Sequence, residues 1–217
     1  MADDKMIIIT GTPGTGKTAI AKALAKKLGA TLVDIKKIVD RGKGLYKKEH
    51  GEKIVDLEKL TLAIGSQVSD TGRNRKPDSS NRMPDARKLI IEGHLACELP
   101  LKAELVFVLR CQPNILKKRL MKRHYSKDKL KENLLAEMLD YCTQKTEKNF
   151  RQSSIIEIET GGRKISSCAK EMAAVIAALK NKKKGKKRRI IKISYDKELR
   201  KFLGLKWNRT NSRRKGS

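Results

Sequence analysis

The eight residues 11–18, which read GTPGTGKT, constrain this chain more than any other segment. They fit the G-x-x-x-x-G-K-[ST] phosphate-loop pattern at every fixed position, and they follow a β-branched run, residues 7–10, that is typical of a buried strand. A glycine turn followed by a surface lysine is the alternative interpretation. The strand before the segment and the Ala-, Lys- and Leu-rich stretch after it favour a nucleotide site.

The residue types in this loop suit the binding of a polyphosphate. Gly11, Gly14 and Gly16 allow backbone conformations that are closed to residues with a Cβ, so that successive N–H groups face phosphates at the positive end of the following helix. Lys17 supplies a cation for the β- and γ-phosphates, and the Thr18 hydroxyl is placed to ligate Mg²⁺. The loop therefore predicts a nucleoside triphosphate together with Mg²⁺.

Strands and helices are predicted to alternate along the chain. Apolar runs indicate five strands, at 7–10, 31–35, 88–92, 104–110 and 155–159. Helical periodicity indicates helices at 17–28, 54–68, 113–123, 128–152 and 164–180. This alternation predicts an α/β fold of the P-loop NTPase class, with a five-stranded parallel sheet flanked by helices and its ligand edge at the carboxyl ends of the strands.

Two segments do not fit this alternation. Residues 36–46 are basic and contain two glycines, which predicts a mobile connection. Residues 69–87 have almost no apolar side chains and contain two prolines, which predicts a long exposed loop. We favour a disordered insertion over a dedicated binding element for this loop, because so polar a segment buries little apolar surface.

Positive charge is concentrated at the carboxyl terminus. The 217-residue chain has a formal net charge of +28. Residues 180–217 hold 17 Lys or Arg against 2 acidic residues, so this segment carries +15 and leaves +13 for the rest of the chain. We therefore divide the chain into a domain at 1–180 and a basic C-terminal extension at 181–217.

Aromatic side chains accompany the charges of this extension. Trp207 stands between Lys and Arg residues, and Tyr195 and Phe202 lie nearby in the sequence. Stacking groups beside basic groups are typical of RNA-binding segments, so we favour rRNA as the partner over a solvated tail that binds nothing specific. Truncation after Leu179 is accordingly expected to spare ATP binding and to weaken RNA binding.

The cysteines and the apolar runs bear on the compartment. Four cysteines lack C-x-x-C spacing, which predicts reduced core residues and neither a zinc site nor a disulfide framework: Cys97, Cys111, Cys142 and Cys168. Residues 1–5 do not read as a signal peptide, and the longest apolar run, 172–179, is too short to span a bilayer. We expect an intracellular, cytoplasmic protein, or a nuclear one if the source has a nucleus, that has no membrane partner and is monomeric alone.

Four further residues are candidates for phosphoryl-transfer chemistry. Glu92 ends a predicted strand, where P-loop proteins usually carry a carboxylate that holds Mg²⁺ directly or through water; capping of the strand end is the alternative. His94 either orients a water or phosphate or is an ordinary surface histidine. Arg119 and Arg123 share one helix face just before a break, which suggests a lid, whereas most basic residues on helices are simply solvated.

Four segments together resemble the adenylate kinase isoenzyme 6 family, also called Fap-seven or coilin-interacting nuclear ATPase proteins. They read GTPGTGKT, EGH, FVLR and NILKKRLMKRHYSKDKLKENL, and the resemblance covers roughly residues 6–179 with a gap at the polar loop. It implies a nucleoside monophosphate kinase-like fold, ATP:AMP phosphoryl transfer with possible broader monophosphate specificity, and ATP hydrolysis. It also implies a role in small-ribosomal-subunit maturation, through a platform ribosomal protein and rRNA.

The resemblance also implies roles for individual residues. The ATP phosphates would be lined by Gly14, Thr15, Gly16, Lys17, Thr18 and Ala19. Arg123 matches the lid arginine that reaches ATP, and the lid would span about 122–132. The monophosphate-binding region would span about 33–54, with Arg41 holding the acceptor phosphate.

The chain departs from the family pattern in three places. Glu92-Gly93-His94-Leu95 stands where the family usually has D-x-H-G, so a longer carboxylate would face the magnesium. Arg123-His124-Tyr125 stands where the family usually has R-G-Y, so a glycine hinge is lost. The insertion at 69–87 and the basic extension have no recognised counterpart.

Three functions are compatible with these features. In the first, a monophosphate kinase transfers the ATP γ-phosphate to AMP, with Lys17, Arg119, Arg123 and His94 as catalytic groups and no need for a general base. In the second, an ATP-hydrolysing assembly factor uses water as the acceptor and a ribosomal protein and rRNA as partners. In the third, a small-molecule kinase, for example of the shikimate type, uses another class of acceptor.

Overall fold

The structure is a computed structural model that describes residues 5–49, 52–73, 88–180, 189–190 and 193–204. Most of the polar loop predicted at 69–87, the Lys-rich start of the extension and Trp207 lie outside these residues. Within them, no helix combines the length and apolar character that crossing a bilayer requires.

A six-stranded parallel sheet forms the centre of the fold, with strand order β2-β5-β1-β6-β7-β8. Its strands are β1 (Lys5–Thr10), β2 (Thr31–Asp34), β5 (Lys88–Glu92), β6 (Leu105–Arg110), β7 (Ser154–Glu159) and β8 (Arg189–Ile190). A separate antiparallel hairpin consists of β3 (Tyr46–Glu49) and β4 (Glu52–Val55). All five strands predicted from apolar runs are present, and the sixth, β8, comes from the extension.

Helices cover both faces of this sheet. They are α1 (Lys17–Leu28), α2 (Ile35–Arg41), α3 (Leu57–Arg73), α4 (Pro113–Met121), α5 (Lys127–Met138), α6 (Tyr141–Asn149), α7 (Ile165–Lys180) and α8 (Asp196–Phe202). Alternate residues of β1 enter opposite cores: Ile7 and Ile9 pack with α1 and α7, whereas Ile8 packs with residues of α3 and α6. The predicted P-loop α/β fold is therefore confirmed, with its sheet buried on both faces.

Two predictions between β2 and α3 were wrong. The segment 36–46 is largely the helix α2, which begins because the Asp34 carboxylate accepts a hydrogen bond of 3.2 Å from the backbone N–H of Lys37. The helix predicted from residue 54 begins at Leu57, because Ile54 and Val55 pair in the β3–β4 hairpin.

The helix predicted at 128–152 is divided into α5 and α6. The break is at Asp140, which has a left-handed φ of 55°. Its carboxylate accepts a hydrogen bond from the buried guanidinium of Arg110. A long-range ion pair thus holds a backbone conformation that helical periodicity does not reveal.

Arg110 lies at the end of β6 and is 1% exposed. Its guanidinium also bonds to Glu137 at 2.9 Å and to Glu157 at 2.6 Å, joining α5 to β7. Burial alone would lower the pKa of this group, but the charges of these carboxylates outweigh burial and raise it. The result is a charged network beneath the carboxyl edge of the sheet.

Candidate active site

The loop between β1 and α1 depends on glycine at two positions. Gly11 has a φ of 138°, and a Cβ there would lie 2.3 Å from the carbonyl oxygen of Leu109. Gly14 has a φ of 94°, and a Cβ there would lie 2.7 Å from Leu116 Cδ1. The loop therefore lies close against β6 and α4, and no larger residue fits at either position.

Lys17 is held by the loop that precedes it. Its Nζ donates hydrogen bonds of 2.8 Å to the carbonyl oxygen of Gly11 and 3.0 Å to that of Thr12. Burial lowers the pKa of its ammonium group. The next two residues, Thr18 and Ala19, are exposed at the first turn of α1. The ammonium group of Lys17 thus lies where phosphates would bind.

Glu92 lies beside the Thr18 side chain at the end of β5. It is 3% exposed, and burial raises the pKa of its carboxyl group, while a hydrogen bond from the Thr18 hydroxyl acts in the opposite direction. Asp34, its register partner on β2, raises the pKa further. Sequence reasoning did not select Asp34, because it lies within the short strand predicted at 31–35 and matches no nucleotide-binding motif.

The Thr18 hydroxyl and the Glu92 carboxylate suit Mg²⁺ chemically, since both are hard oxygen donors. No group of three or more His, Cys, Asp or Glu side chains suited to a metal is found in the part of the chain that the structure describes. A metal at Thr18 and Glu92 would therefore need phosphate and water oxygens to complete its coordination. This is the arrangement that Mg²⁺ adopts at nucleotide sites.

His94 follows Glu92 by two residues. Its carbonyl oxygen accepts a hydrogen bond of 3.3 Å from the Thr10 hydroxyl, which fixes the backbone next to the loop. Although the residue is exposed overall, desolvation of its ring and the charges of Lys17 and Lys129 lower the imidazole pKa to about 4. The ring is therefore neutral at pH 7 and is suited to hydrogen bonding with water or phosphate.

Arg119 is bound to the backbone around the loop. Its guanidinium donates 3.3 Å to the carbonyl oxygen of Gly14 and 3.0 Å to that of Thr160, and it contacts the sulfur of Cys111 at 3.4 Å. Thr160 follows β7 and donates from its own hydroxyl to the carbonyl oxygen of Thr15, at 2.8 Å. Arg119 thus links the phosphate loop to the turn after β7.

Arg123 differs from Arg119 in its surroundings. It lies just after α4, its side chain is exposed, and no hydrogen bond or ion pair from that side chain is found among the described residues. His124 follows with a left-handed φ of 54°, and the Ser126 side chain then caps α5. The predicted lid at 122–132 therefore consists of this turn and the first half of α5.

Arg41 is the last residue of α2 and is exposed. The neighbouring Asp40 is paired with Lys36 at 3.0 Å and with Lys53 of the hairpin at 2.6 Å. The structure places Arg41 within the predicted monophosphate region, on the element that starts opposite Glu92. A contact between Arg41 and the phosphate loop is not seen in the described residues.

The turn after β7 and Arg110 were missed by sequence reasoning. Thr160, Gly161 and Gly162 end the last predicted strand, and that glycine pair is the signal that would have indicated a turn at the ligand edge. No comparable signal exists for Arg110, since its partners are distant in sequence. The four cysteines are buried and free of disulfides, as predicted.

The sequence matches known families over most of its length. The profile of the AAA domain family matches residues 7–140. A Pyrococcus abyssi protein described as "Putative adenylate kinase" is 33% identical over 185 residues, which is 85% of this chain and 88% of that protein. A Methanocaldococcus jannaschii protein with the same description is 33% identical over 182 residues, covering 83% and 89%.

Solved structures of kinases share the fold at low sequence identity. The shikimate kinase of Acinetobacter baumannii in complex with shikimate aligns with a TM-score of 0.56 and 17% identity, covering 83% of this chain and 97% of that one. The YorR protein of Bacillus subtilis, in complex with phosphorylated GDP, aligns with a TM-score of 0.54 and 16% identity, covering 82% and 99%. These likenesses establish the architecture alone.

Proposed function

Because the chain belongs to the AAA domain family of P-loop proteins, in the group that includes the archaeal adenylate kinase-like relatives, we propose that it is a nucleoside monophosphate kinase. The proposed reaction is transfer of the γ-phosphate of Mg-ATP to AMP or another nucleoside monophosphate. The observation that carries the proposal is the complete phosphate loop, with Lys17 and Thr18 beside Glu92, flanked by an exposed arginine after α4. Kinase chemistry needs this combination of donor cradle and mobile cation.

The residues of the site divide the work between donor and acceptor. Lys17 would exchange its carbonyl partners at Gly11 and Thr12 for phosphate oxygens, and Arg123 would close onto the transferred group. Thr18 and Glu92 would hold Mg²⁺, which would supply positive charge to offset that of the phosphates. Arg41 would place the acceptor phosphate. The acceptor oxygen of AMP is already ionised, so positioning and charge stabilisation suffice.

Hydrolysis of ATP is the expected reaction when no monophosphate is bound. The neutral imidazole of His94 can accept a hydrogen bond from water while the phosphate is held by Lys17. It thereby orients the water without carrying a charge of its own. A His94→Ala variant is expected to lose ATPase activity more than kinase activity.

A coupled assay tests the kinase proposal. The protein is incubated with Mg-ATP in the presence and absence of AMP, and ADP formation is followed. We expect AMP to increase the rate many-fold, and we expect EDTA to abolish both reactions. If ADP formed at the same rate with and without AMP, CMP or UMP, monophosphate kinase activity would be contradicted.

The basic charge supports a second proposal, a role in small-ribosomal-subunit maturation. Residues 180–217 carry a net charge of +15, which suits binding to rRNA, and a platform ribosomal protein is the further partner that we propose. Titration of rRNA fragments at several salt concentrations tests this role. Binding with a steep salt dependence, and ATPase activity that changes with RNA or the ribosomal protein, would support an assembly factor.

An acceptor of another class is the remaining alternative. The fold alone is compatible with it, because small-molecule kinases share this architecture. Thermal shift in the presence of a non-hydrolysable ATP analogue and a panel of monophosphates, shikimate and sugars would separate the two. Stabilisation by shikimate or a sugar and not by any monophosphate would replace the proposed acceptor.

A further inference from the structure

Residues 193–199 of the basic extension are packed against the domain. The backbone N–H of Ile193 donates 2.9 Å to Glu157 Oε2, and the Ile193 carbonyl oxygen lies 3.5 Å from the Arg110 guanidinium. Tyr195 and Leu199 pack with apolar side chains of α4 and α5. The extension therefore contributes to the folded structure at the same edge of the sheet as the phosphate loop.

Tyr195 makes the innermost contacts of this segment. It is 5% exposed, and its ring lies over the Arg110 guanidinium at 5.1 Å from the ring centroid. Its hydroxyl donates a hydrogen bond of 2.6 Å to Glu159 Oε2. Burial and the neighbouring Glu159 raise the pKa of the phenol, so the group keeps its proton and remains a donor.

Glu159 transmits this contact to the turn after β7. Its other carboxylate oxygen, Oε1, accepts a hydrogen bond of 2.7 Å from the backbone N–H of Gly161. A Cβ on Gly161 would lie 2.8 Å from that oxygen, so the turn and the carboxylate are in close contact. Glu159, held by Tyr195, therefore supports the backbone of the turn together with the hydrogen bond of 2.9 Å from the Thr160 N–H to the Arg110 carbonyl oxygen.

The turn 160–162 is also hydrogen-bonded to the phosphate loop. Thr160 lies between Glu159 and Gly161, and its hydroxyl and carbonyl make the contacts to Thr15 and Arg119 described above. Three hydrogen bonds therefore connect the extension to the phosphate loop: Tyr195 to Glu159, Gly161 to Glu159, and Thr160 to Thr15. A displacement of about 1 Å in such a supporting shell is enough to weaken a phosphate site substantially.

We propose that Tyr195 is a positioning residue of the nucleotide site, which it orders by holding Glu159 and the turn 160–162 against the phosphate loop. The inference rests on the proposed ATP site but not on AMP as the acceptor. It assigns to the basic extension a function in nucleotide binding in addition to any contact with RNA. Residues 193–199 of the extension thus support the proposed nucleotide site.

The test compares Tyr195→Phe with the wild-type protein. Phenylalanine keeps the ring over Arg110 and removes only the hydroxyl. We expect the Kd for ATP, measured by calorimetry, and the KM for ATP to rise about five-fold or more. The kcat and the KM for the monophosphate should change less than two-fold. The melting temperature should fall by a few degrees, because a buried hydrogen bond to a carboxylate is lost.

Tyr141→Phe is the matched control. Tyr141 also forms a hydrogen bond with a glutamate, Glu98, but this pair is not in the chain of contacts that ends at the phosphate loop. The control is expected to bind ATP like the wild type. An equal loss of ATP affinity in both variants would instead show that the loss does not depend on the contact with Glu159.

A double-mutant cycle with Glu159→Gln completes the test. If Tyr195 acts through Glu159, the two substitutions together should weaken ATP binding no more than the stronger single one. Unchanged ATP affinity in Tyr195→Phe, or fully additive effects, would overturn the inference. Failure of the wild-type protein to bind ATP would instead overturn the proposed function, so the two failures are distinguishable.

Discussion

Asp34 and Glu92 are register partners at the carboxyl ends of β2 and β5, and both burial and the charge of Asp34 raise the pKa of the Glu92 carboxyl group. Two carboxylates side by side disfavour each other's ionised form. The site thus holds a buried acid whose charge is stabilised only in part by Thr18. A divalent cation bound beside Glu92 would relieve this repulsion.

Glu92→Gln is expected to separate stability from activity. The folded pKa of Glu92 is raised, so between the unfolded and folded pKa values the folded state binds more protons, and stability falls as pH rises through that window. Removing the charge should therefore stabilise the protein at neutral pH by ~1 kcal/mol. Thermal denaturation at pH 4 and pH 8 measures this effect, and it should shrink at the lower pH.

The same variant should lose most of its magnesium-dependent turnover, by about a hundred-fold, because an amide is a poor Mg²⁺ ligand. Glu92→Asp is the companion variant, since it keeps a carboxylate and introduces the shorter residue found in the pattern that this segment of the sequence resembles. A Glu92→Gln protein with normal turnover would remove Glu92 from the metal site.

Lys17→Met tests the role of the Lys17 ammonium group. The variant loses the group that would bind the phosphates, so we expect kcat to fall by about a hundred-fold or more. The carbonyl oxygens of Gly11 and Thr12 lose their present donor, so some loss of stability is also expected. Lys26→Met, an exposed lysine on the same helix, is the control and should leave both quantities unchanged.

Arg119 and Arg123 are expected to respond differently to alanine substitution. Arg123 is exposed, so Arg123→Ala should reduce kcat with little change in melting temperature. Arg119→Ala removes hydrogen bonds to Gly14 and Thr160, so it should lower the melting temperature and weaken ATP binding together. Equal effects of both variants on stability would show that the contrast in their surroundings has no energetic meaning.

His124 has a left-handed φ of 54°, a conformation that glycine adopts without strain. Glycine also stands here in the R-G-Y pattern that this segment of the sequence resembles. His124→Gly is expected to relieve ~1 kcal/mol of backbone strain and to increase the freedom of the lid. His124→Ala keeps the Cβ and should gain nothing, so the pair separates backbone strain from loss of the imidazole. The melting temperature measures the change in strain, and the rate of single-turnover phosphoryl transfer measures the change in the lid.

Local signals identified much of this molecule correctly. The loop 11–18 can be recognised in the sequence because phosphate binding requires particular residues at fixed positions. The core strands can be recognised because they are buried on both faces and therefore form continuous apolar runs. The hairpin at 46–55 was missed because each strand has only four residues and its apolar side chains, Tyr46, Ile54 and Val55, are too few to show an alternating pattern. Arg110 was missed because its partners are brought together only by the fold. Tyr195 was predicted to be a stacking group for RNA, but it is buried against Arg110 and Glu159, which are distant in sequence.

The packing of Tyr195 also changes the prediction for truncation. Removing everything after Leu179 would leave Arg110, Glu157 and Glu159 without the contacts that Ile193 and Tyr195 supply. Ending the chain after Gly204 instead keeps those contacts while removing five of the extension's basic residues, Lys206, Arg209, Arg213, Arg214 and Lys215.

We therefore expect truncation after Leu179 to lower the melting temperature and to weaken ATP binding, contrary to the expectation from sequence. Truncation after Gly204 should preserve both and reduce only RNA affinity and its dependence on salt concentration. Calorimetry with ATP and filter binding of rRNA fragments at several salt concentrations measure the two properties separately. If the protein truncated after Leu179 bound ATP normally, the contacts through Glu159 would be dispensable. The docked part of the extension would then have no role in the nucleotide site.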